Sequence, residues 1–141
     1  VTLVRPDILS VMKKGEHSST FGGNPLACAA GTATLHALTQ DGLIENAKSM
    51  GEKFSHGLEE LKSKHKIIRE VRGKGLMIGV ELKFEVKDIL MEGIKNGLLL
   101  LYSGRNILRF LPPLVISEED TVKTLQILDE LLTNEENRRN A

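Results

Sequence analysis

The chain has 141 residues, and its 19 Lys and Arg are balanced by 19 Asp and Glu. That length suffices for one domain with a core, and the charge balance speaks against a nucleic-acid or polybasic membrane surface. No apolar run approaches the roughly 20 residues of a membrane span and no signal peptide is visible; the single Cys28 excludes an internal disulfide and fits a cytoplasmic setting.

Residues 1–4, Val-Thr-Leu-Val, read as the end of a strand, and a chain that opens on Val in mid-pattern is expected to be a piece of a longer one. A short helix is predicted over residues 6–12, closed by Lys13-Lys14-Gly15. A loop over residues 16–23 follows, with hydroxyls at Ser18, Ser19 and Thr20 and glycines at Gly22 and Gly23. Asn24-Pro25 then starts a helix, Asn as the cap and Pro in the first turn. Two readings fit this loop: an ordinary capped turn, or an anion site, above all for phosphate. The helix from Pro25 to about Leu38 carries small residues on every face and is expected to be well buried; Cys28 among its alanines reads as a packing residue.

Asp41-Gly42 breaks that helix, and the next runs from about Leu43 to Lys64 with Leu43, Ala47, Met50, Phe54, Leu58 and Leu61 in one stripe. Residues 67–72 and 76–82 read as strands about a Gly73-Lys74-Gly75 turn, with Leu76, Ile78, Val80 and Leu82 on one face. A short helix is predicted over residues 86–96, then strands at 98–102 and 107–111 joined by Ser103-Gly104-Arg105-Asn106. Ser117 starts the last helix, with Val122, Leu125, Leu128 and Leu132 facing inward, and residues 134–141 are a polar tail expected to fray. The order of elements predicts an α+β fold, a small, mainly antiparallel sheet covered by helices. Arg109 alternates with Ile107 and Leu111 inside an apolar strand; it either meets a carboxylate, which its planar fork matches, or snorkels to water from an edge. The four histidines, at positions 17, 36, 56 and 65, show no spacing that suggests a metal site.

Three stretches resemble the class III pyridoxal-phosphate aminotransferases, in particular the acetylornithine and ornithine aminotransferase group: GEHSSTFGGNPLACAA (residues 15–30), VRGKGLMIGVEL (71–82) and NILRFLPPLVI (106–116). The resemblance implies that the chain is the C-terminal portion of such an enzyme. Residues 1–23 would be the tail end of the large domain with the cofactor-phosphate loop, 24–42 an interdomain helix, 43–133 the small C-terminal domain of a fold-type I enzyme, and 134–141 the polar tail. It implies that Thr20, with Ser19 as a second donor, binds the phosphate of pyridoxal 5'-phosphate across a homodimer interface, and that Arg109 clamps the substrate α-carboxylate. His17 matches the first stretch and is given only a loop-ordering role. Gly73 and Gly75 shape a turn near the substrate entrance. Lys74 is not taken as catalytic, because the family's Schiff-base lysine belongs to another motif.

The implied reaction moves an amino group between (acetyl)ornithine, or a related lysine- or arginine-pathway substrate, and 2-oxoglutarate. Residues 76–114 also resemble archaeal versions acting on substrates tethered to an amino-group carrier protein. The alternatives are another class III ω-amino-acid transaminase, such as a 4-aminobutyrate type, or a stand-alone structural or dimerisation fragment without catalysis. With no Schiff-base lysine motif, the isolated chain is expected to be inactive, and its uncovered apolar surface to make it self-associate.

Overall fold

The computed structural model describes residues 3–13, 15–16 and 18–140; the expected strand residues Val1 and Thr2, Lys14 of the helix-closing run, and His17 lie outside them. Two compact units divide between Ala37 and Leu38.

In the first unit, Leu3 and Val4 pair with no strand, because the described residues offer them no neighbouring strand to bond. Helix α1 spans only Pro6–Leu9. Helix α2, Pro25–Gln40, begins where Asn24-Pro25 predicted, but it buries none of its residues. The expectation of a well-buried helix is therefore corrected. Among the described residues its apolar side chains Leu26 and Leu35 stay exposed.

The second unit is the α+β layer anticipated above. Gly42, at φ 68°, turns the chain into α3, Leu43–Lys64. Strand β1, Ile68–Lys74, and β2, Met77–Leu82, form a hairpin whose two turn residues are Gly75 and Leu76. Pairing thus runs through Lys74, two residues beyond the predicted end of the strand, and Gly75 takes the positive φ of 55° that a two-residue turn needs. Helix α4 is Lys87–Lys95, β3 is Leu101–Ser103, β4 is Ile107–Phe110 and α5 is Glu118–Asn140. The four strands are antiparallel in the order β1-β2-β4-β3, which makes β4 an inner strand.

One face of the sheet carries the core. Ile78, Val80 and Leu82 of β2 and Leu108 and Phe110 of β4 are buried against Phe54 and Leu58 of α3, Ile89 of α4 and Leu128, Leu131 and Leu132 of α5. The rings of Phe54 and Phe110 meet edge to face, with centroids 5.2 Å apart. The predicted stripe of α3 is the face it buries. On α5 the stripe is rotated: Thr121 and Leu131 are buried and Val122 is exposed, because the contact line runs through 121, 128, 132 and 135 and leaves Val122 on its flank. Thr121 tolerates burial because its hydroxyl donates to the Ser117 carbonyl.

The last helix does not fray where its composition suggested. Glu135 is buried and holds both Arg138 and Arg139; Arg138 also reaches Asp88 of α4, and the Arg139 guanidinium lies 3.4 Å from the centroid of Phe84. A polar stretch is thereby tied to the core through one acidic side chain.

Glycine sets how closely α3 approaches the hairpin. A Cβ at Gly51 would lie well inside van der Waals contact with the carbonyl and Cα of Gly75, where no side chain can yield. A Cβ at Gly57 meets instead the flexible end of Leu125. Gly51→Ala is therefore expected to destabilise the chain by about 1–3 kcal/mol and Gly57→Ala by less. Urea midpoints of the two variants would check the order.

Candidate functional site

The residues singled out from the sequence fall in both units. In the first, the loop before α2 is built from local hydrogen bonds. Asn24 Oδ1 accepts from the N–H of Ala27 at 2.9 Å, and its Nδ2 donates to the Phe21 carbonyl at 2.8 Å. Ser19 Oγ accepts from the Gly22 N–H at 2.9 Å, an approach that a Cβ at residue 22 would block. Ser19 keeps its own hydroxyl hydrogen to donate. Thr20 is exposed and has no hydrogen-bond partner among the described residues. Two hydroxyl donors thus stand on a glycine-containing turn just before a capped helix start, a donor set that suits an oxyanion.

In the second unit Arg109 occupies the inner strand β4, opposite Gly79 of β2 and Leu101 of β3. The edge-strand reading is excluded by this position. Alternation places it with Ile107, as expected, and that face is the one turned away from the core: Leu108 and Phe110 are buried and Arg109 is exposed. No carboxylate among the described residues pairs with its guanidinium. The residue also contributes to a cavity of about 210 Å³ that reaches the core side of the sheet, walled by Leu101, Pro112, Pro113, Ile116, Phe54 and Phe110.

Arg69 and Arg72 of β1 are already taken. Glu81 of β2 accepts from Arg69 and from Arg72, each at 2.9 Å, and from Asn106 at 3.3 Å; Arg72 also pairs with Glu70. The Arg72 hydrogen bond holds the Glu81 carboxyl below the usual carboxylate range, against the opposing push of burial and with help from Arg69. Glu81 therefore stays ionised and neutralises its neighbours, while Arg109, across the sheet, has no carboxylate partner among the described residues. The pairing of Glu81 was not read from the sequence; its place on the Met77-Gly79-Glu81 face, with arginines at 69 and 72 on the preceding strand, was the available signal.

Lys74 sits exposed at the end of β1. The hairpin turn beside it and α3 line a separate groove of about 760 Å³ with Lys48, Glu52 and Leu114, and Arg109 does not border that groove. Among the described residues there is no cluster of His, Cys, Asp or Glu able to hold a metal, and no helix long and apolar enough to cross a membrane.

Comparison with known proteins adds a second line to this geometry. The family model described as aminotransferase class-III matches residues 1–132. The chain is 47% identical over 132 residues to an acetylornithine aminotransferase of Caldanaerobacter subterraneus subsp. tengcongensis, covering 93% of this chain and 34% of that protein. It is 37% identical over 134 residues to a LysW-aminoadipate semialdehyde/glutamate semialdehyde transaminase of Sulfolobus acidocaldarius, covering 94% of this chain and 35% of the relative. Its fold is similar to that of the Toxoplasma gondii ornithine aminotransferase, a structure described as having partial occupancy of PLP at the active site: TM-score 0.86, 34% identity, 96% of this chain and 33% of that one. The chain spans about a third of the length of the curated relatives it matches.

Proposed function

Since the chain belongs to the aminotransferase class-III family, we propose that it forms the C-terminal part of a transaminase of the acetylornithine/ornithine type. The enzyme would move an amino group between (acetyl)ornithine, or a related arginine- or lysine-pathway amine, and 2-oxoglutarate. The observation that carries this reading is Arg109: an exposed guanidinium on an inner strand, with no acidic partner among the described residues. Its two parallel N–H groups match the α-carboxylate of an amino acid or 2-oxo acid, and such a pair fixes orientation as well as affinity.

The family's cofactor is pyridoxal 5'-phosphate, which when bound serves as the electron sink and carrier for the amino group. The loop before α2 fits its phosphate: Thr20 would donate its free hydroxyl to one phosphate oxygen and Ser19 its remaining hydrogen to another. We place this contact across the interface of a cytoplasmic homodimer. Within the larger enzyme, residues 1–23 would close the large domain, 24–42 form the interdomain helix and 43–133 the small domain, with 134–141 as its last segment. The lysine that anchors the cofactor is assigned to none of this chain's lysines. A carrier-tethered amine joins the substrates to be tried, because one relative is named for a LysW-bound substrate.

A panel of acetylornithine, ornithine and 4-aminobutyrate, assayed with 2-oxoglutarate in the full-length enzyme, tests the substrate reading. The highest kcat/KM is expected for one of the first two, and a clear preference for 4-aminobutyrate would overturn it. Thr20→Val tests the phosphate contact. Loss of a hydrogen bond to a charged group, about 1.5–3 kcal/mol, is expected to weaken cofactor binding about 10- to 100-fold. Fluorescence titration of the apoenzyme with pyridoxal 5'-phosphate measures it, and unchanged affinity would remove Thr20 from the site.

A further inference from the structure

The chain leaves β4 one residue after Arg109 and passes through Pro112 and Pro113, whose rings fix the backbone, into a turn closed by the Ile116 N–H on the Pro113 carbonyl at 3.0 Å. Leu111, Pro112, Pro113 and Ile116 wall the cavity that Arg109 borders. This segment is pinned from a distant part of the sequence. Asn46, on the first turns of α3, donates through Nδ2 to the Leu114 carbonyl at 2.7 Å and to the Ile116 carbonyl at 3.1 Å. Both partners only accept, so the amide must present its NH₂ group and spends both hydrogens on this one segment. Ile116 is buried against Met50 and Leu76, which seats the same turn on α3.

We propose that Asn46 is a positioning residue for the Arg109 carboxylate site. It holds the proline segment against α3 and so fixes the cavity wall and the exit of β4 from which Arg109 projects. The inference rests on the reading of Arg109 as the carboxylate-binding residue. Asn46 itself touches no substrate.

The test is Asn46→Asp in the full-length holoenzyme, a change that keeps the size of the side chain and turns a carboxylate onto two carbonyl oxygens. A wall displaced by a fraction of an ångström is expected to raise KM for 2-oxoglutarate about tenfold, with saturated kcat within about threefold of the parent and cofactor content unchanged. A lowered thermal midpoint with KM unmoved is what a merely structural role would give, and it would overturn the proposal. Arg109→Lys, measured alongside, separates the two levels. If it raises KM while Asn46→Asp does not, the Asn46 inference alone fails; if it leaves KM unmoved, the reading of Arg109 fails beneath it. Should the Asp variant not fold, Asn46→Ser, which retains one donor, is expected to raise KM by a smaller factor, and an unmoved KM would again overturn the proposal.

Discussion

Arg109→Gln in the full-length enzyme is expected to lower kcat/KM for 2-oxoglutarate about 10²- to 10³-fold. The reasoning starts from charge. On the outer face of the sheet, Glu81 absorbs Arg69 and Arg72, and Glu70 adds to Arg72, so those cations have little left for a ligand. Arg109 stands opposite Gly79, which brings no side chain against it, and no carboxylate among the described residues pairs with it. A bidentate guanidinium–carboxylate contact comprises two charge-assisted hydrogen bonds of about 1.5–3 kcal/mol each, and glutamine keeps only a neutral amide. Lysine restores the charge but not the fork, so Arg109→Lys should recover only part of the loss. Because the side chain is exposed and makes no hydrogen bond or ion pair among the described residues, the unfolding free energy should stay within about 0.5 kcal/mol of the parent. Steady-state kinetics with an unfolding curve on the same preparation would show both, and unchanged kcat/KM would dissociate Arg109 from substrate.

The second large effect concerns stability. His65→Ala is expected to destabilise the second unit by about 2–4 kcal/mol. His65 is 1% exposed at the C-terminal cap of α3, and its ring nitrogens meet two acidic side chains of α5: Nε2 lies 2.6 Å from Asp129 and Nδ1 3.0 Å from Glu136. Lys64 pairs with Asp129 as well. The two longest helices are thus joined through one buried ring, and alanine would leave two carboxylates facing the space it vacates. Burial pushes Asp129 upward, but the hydrogen bonds from Lys64 and His65 outweigh it and hold its carboxyl below the usual aspartate range. A depressed carboxylate stabilises the fold fully above its unfolded value, near about 4, and loses that contribution as pH falls through the lower folded value. Denaturation curves from neutral pH into acid should therefore show a steeper acid loss in the parent than in His65→Ala. Equal acid limbs would mean that the ring does not hold Asp129.

Much of this second unit is legible in the sequence, because its signals are local. Asp41-Gly42 and the 3–4 spacing from Leu43 to Leu61 define α3 from Leu43 to Lys64, and alternation from Leu76 to Leu82 assigns the buried face of β2. The α+β class and the strand that carries Arg109 follow from the same reasoning. What was not legible depends on partners far along the chain. His65 looked like a scattered histidine, since Asp129 and Glu136 lie 64 and 71 residues away. Asn46 carries no signal of its role in the sequence, since Leu114 and Ile116 are 68 and 70 residues off. The polar composition of residues 134–141 suggests fraying, whereas Glu135 is buried and pairs with Arg138 and Arg139. The small-residue helix α2 failed differently: its composition states that a close neighbour would be tolerated, not that one is present.

The central claim is that this chain supplies a phosphate loop and a carboxylate clamp to a transaminase whose cofactor-anchoring lysine is none of its own. The direct measurement is incubation of the purified 141-residue chain with pyridoxal 5'-phosphate, borohydride reduction and peptide mass mapping. The account predicts no lysine modified stoichiometrically. A single lysine carrying one full equivalent, Lys74 for instance, would contradict it.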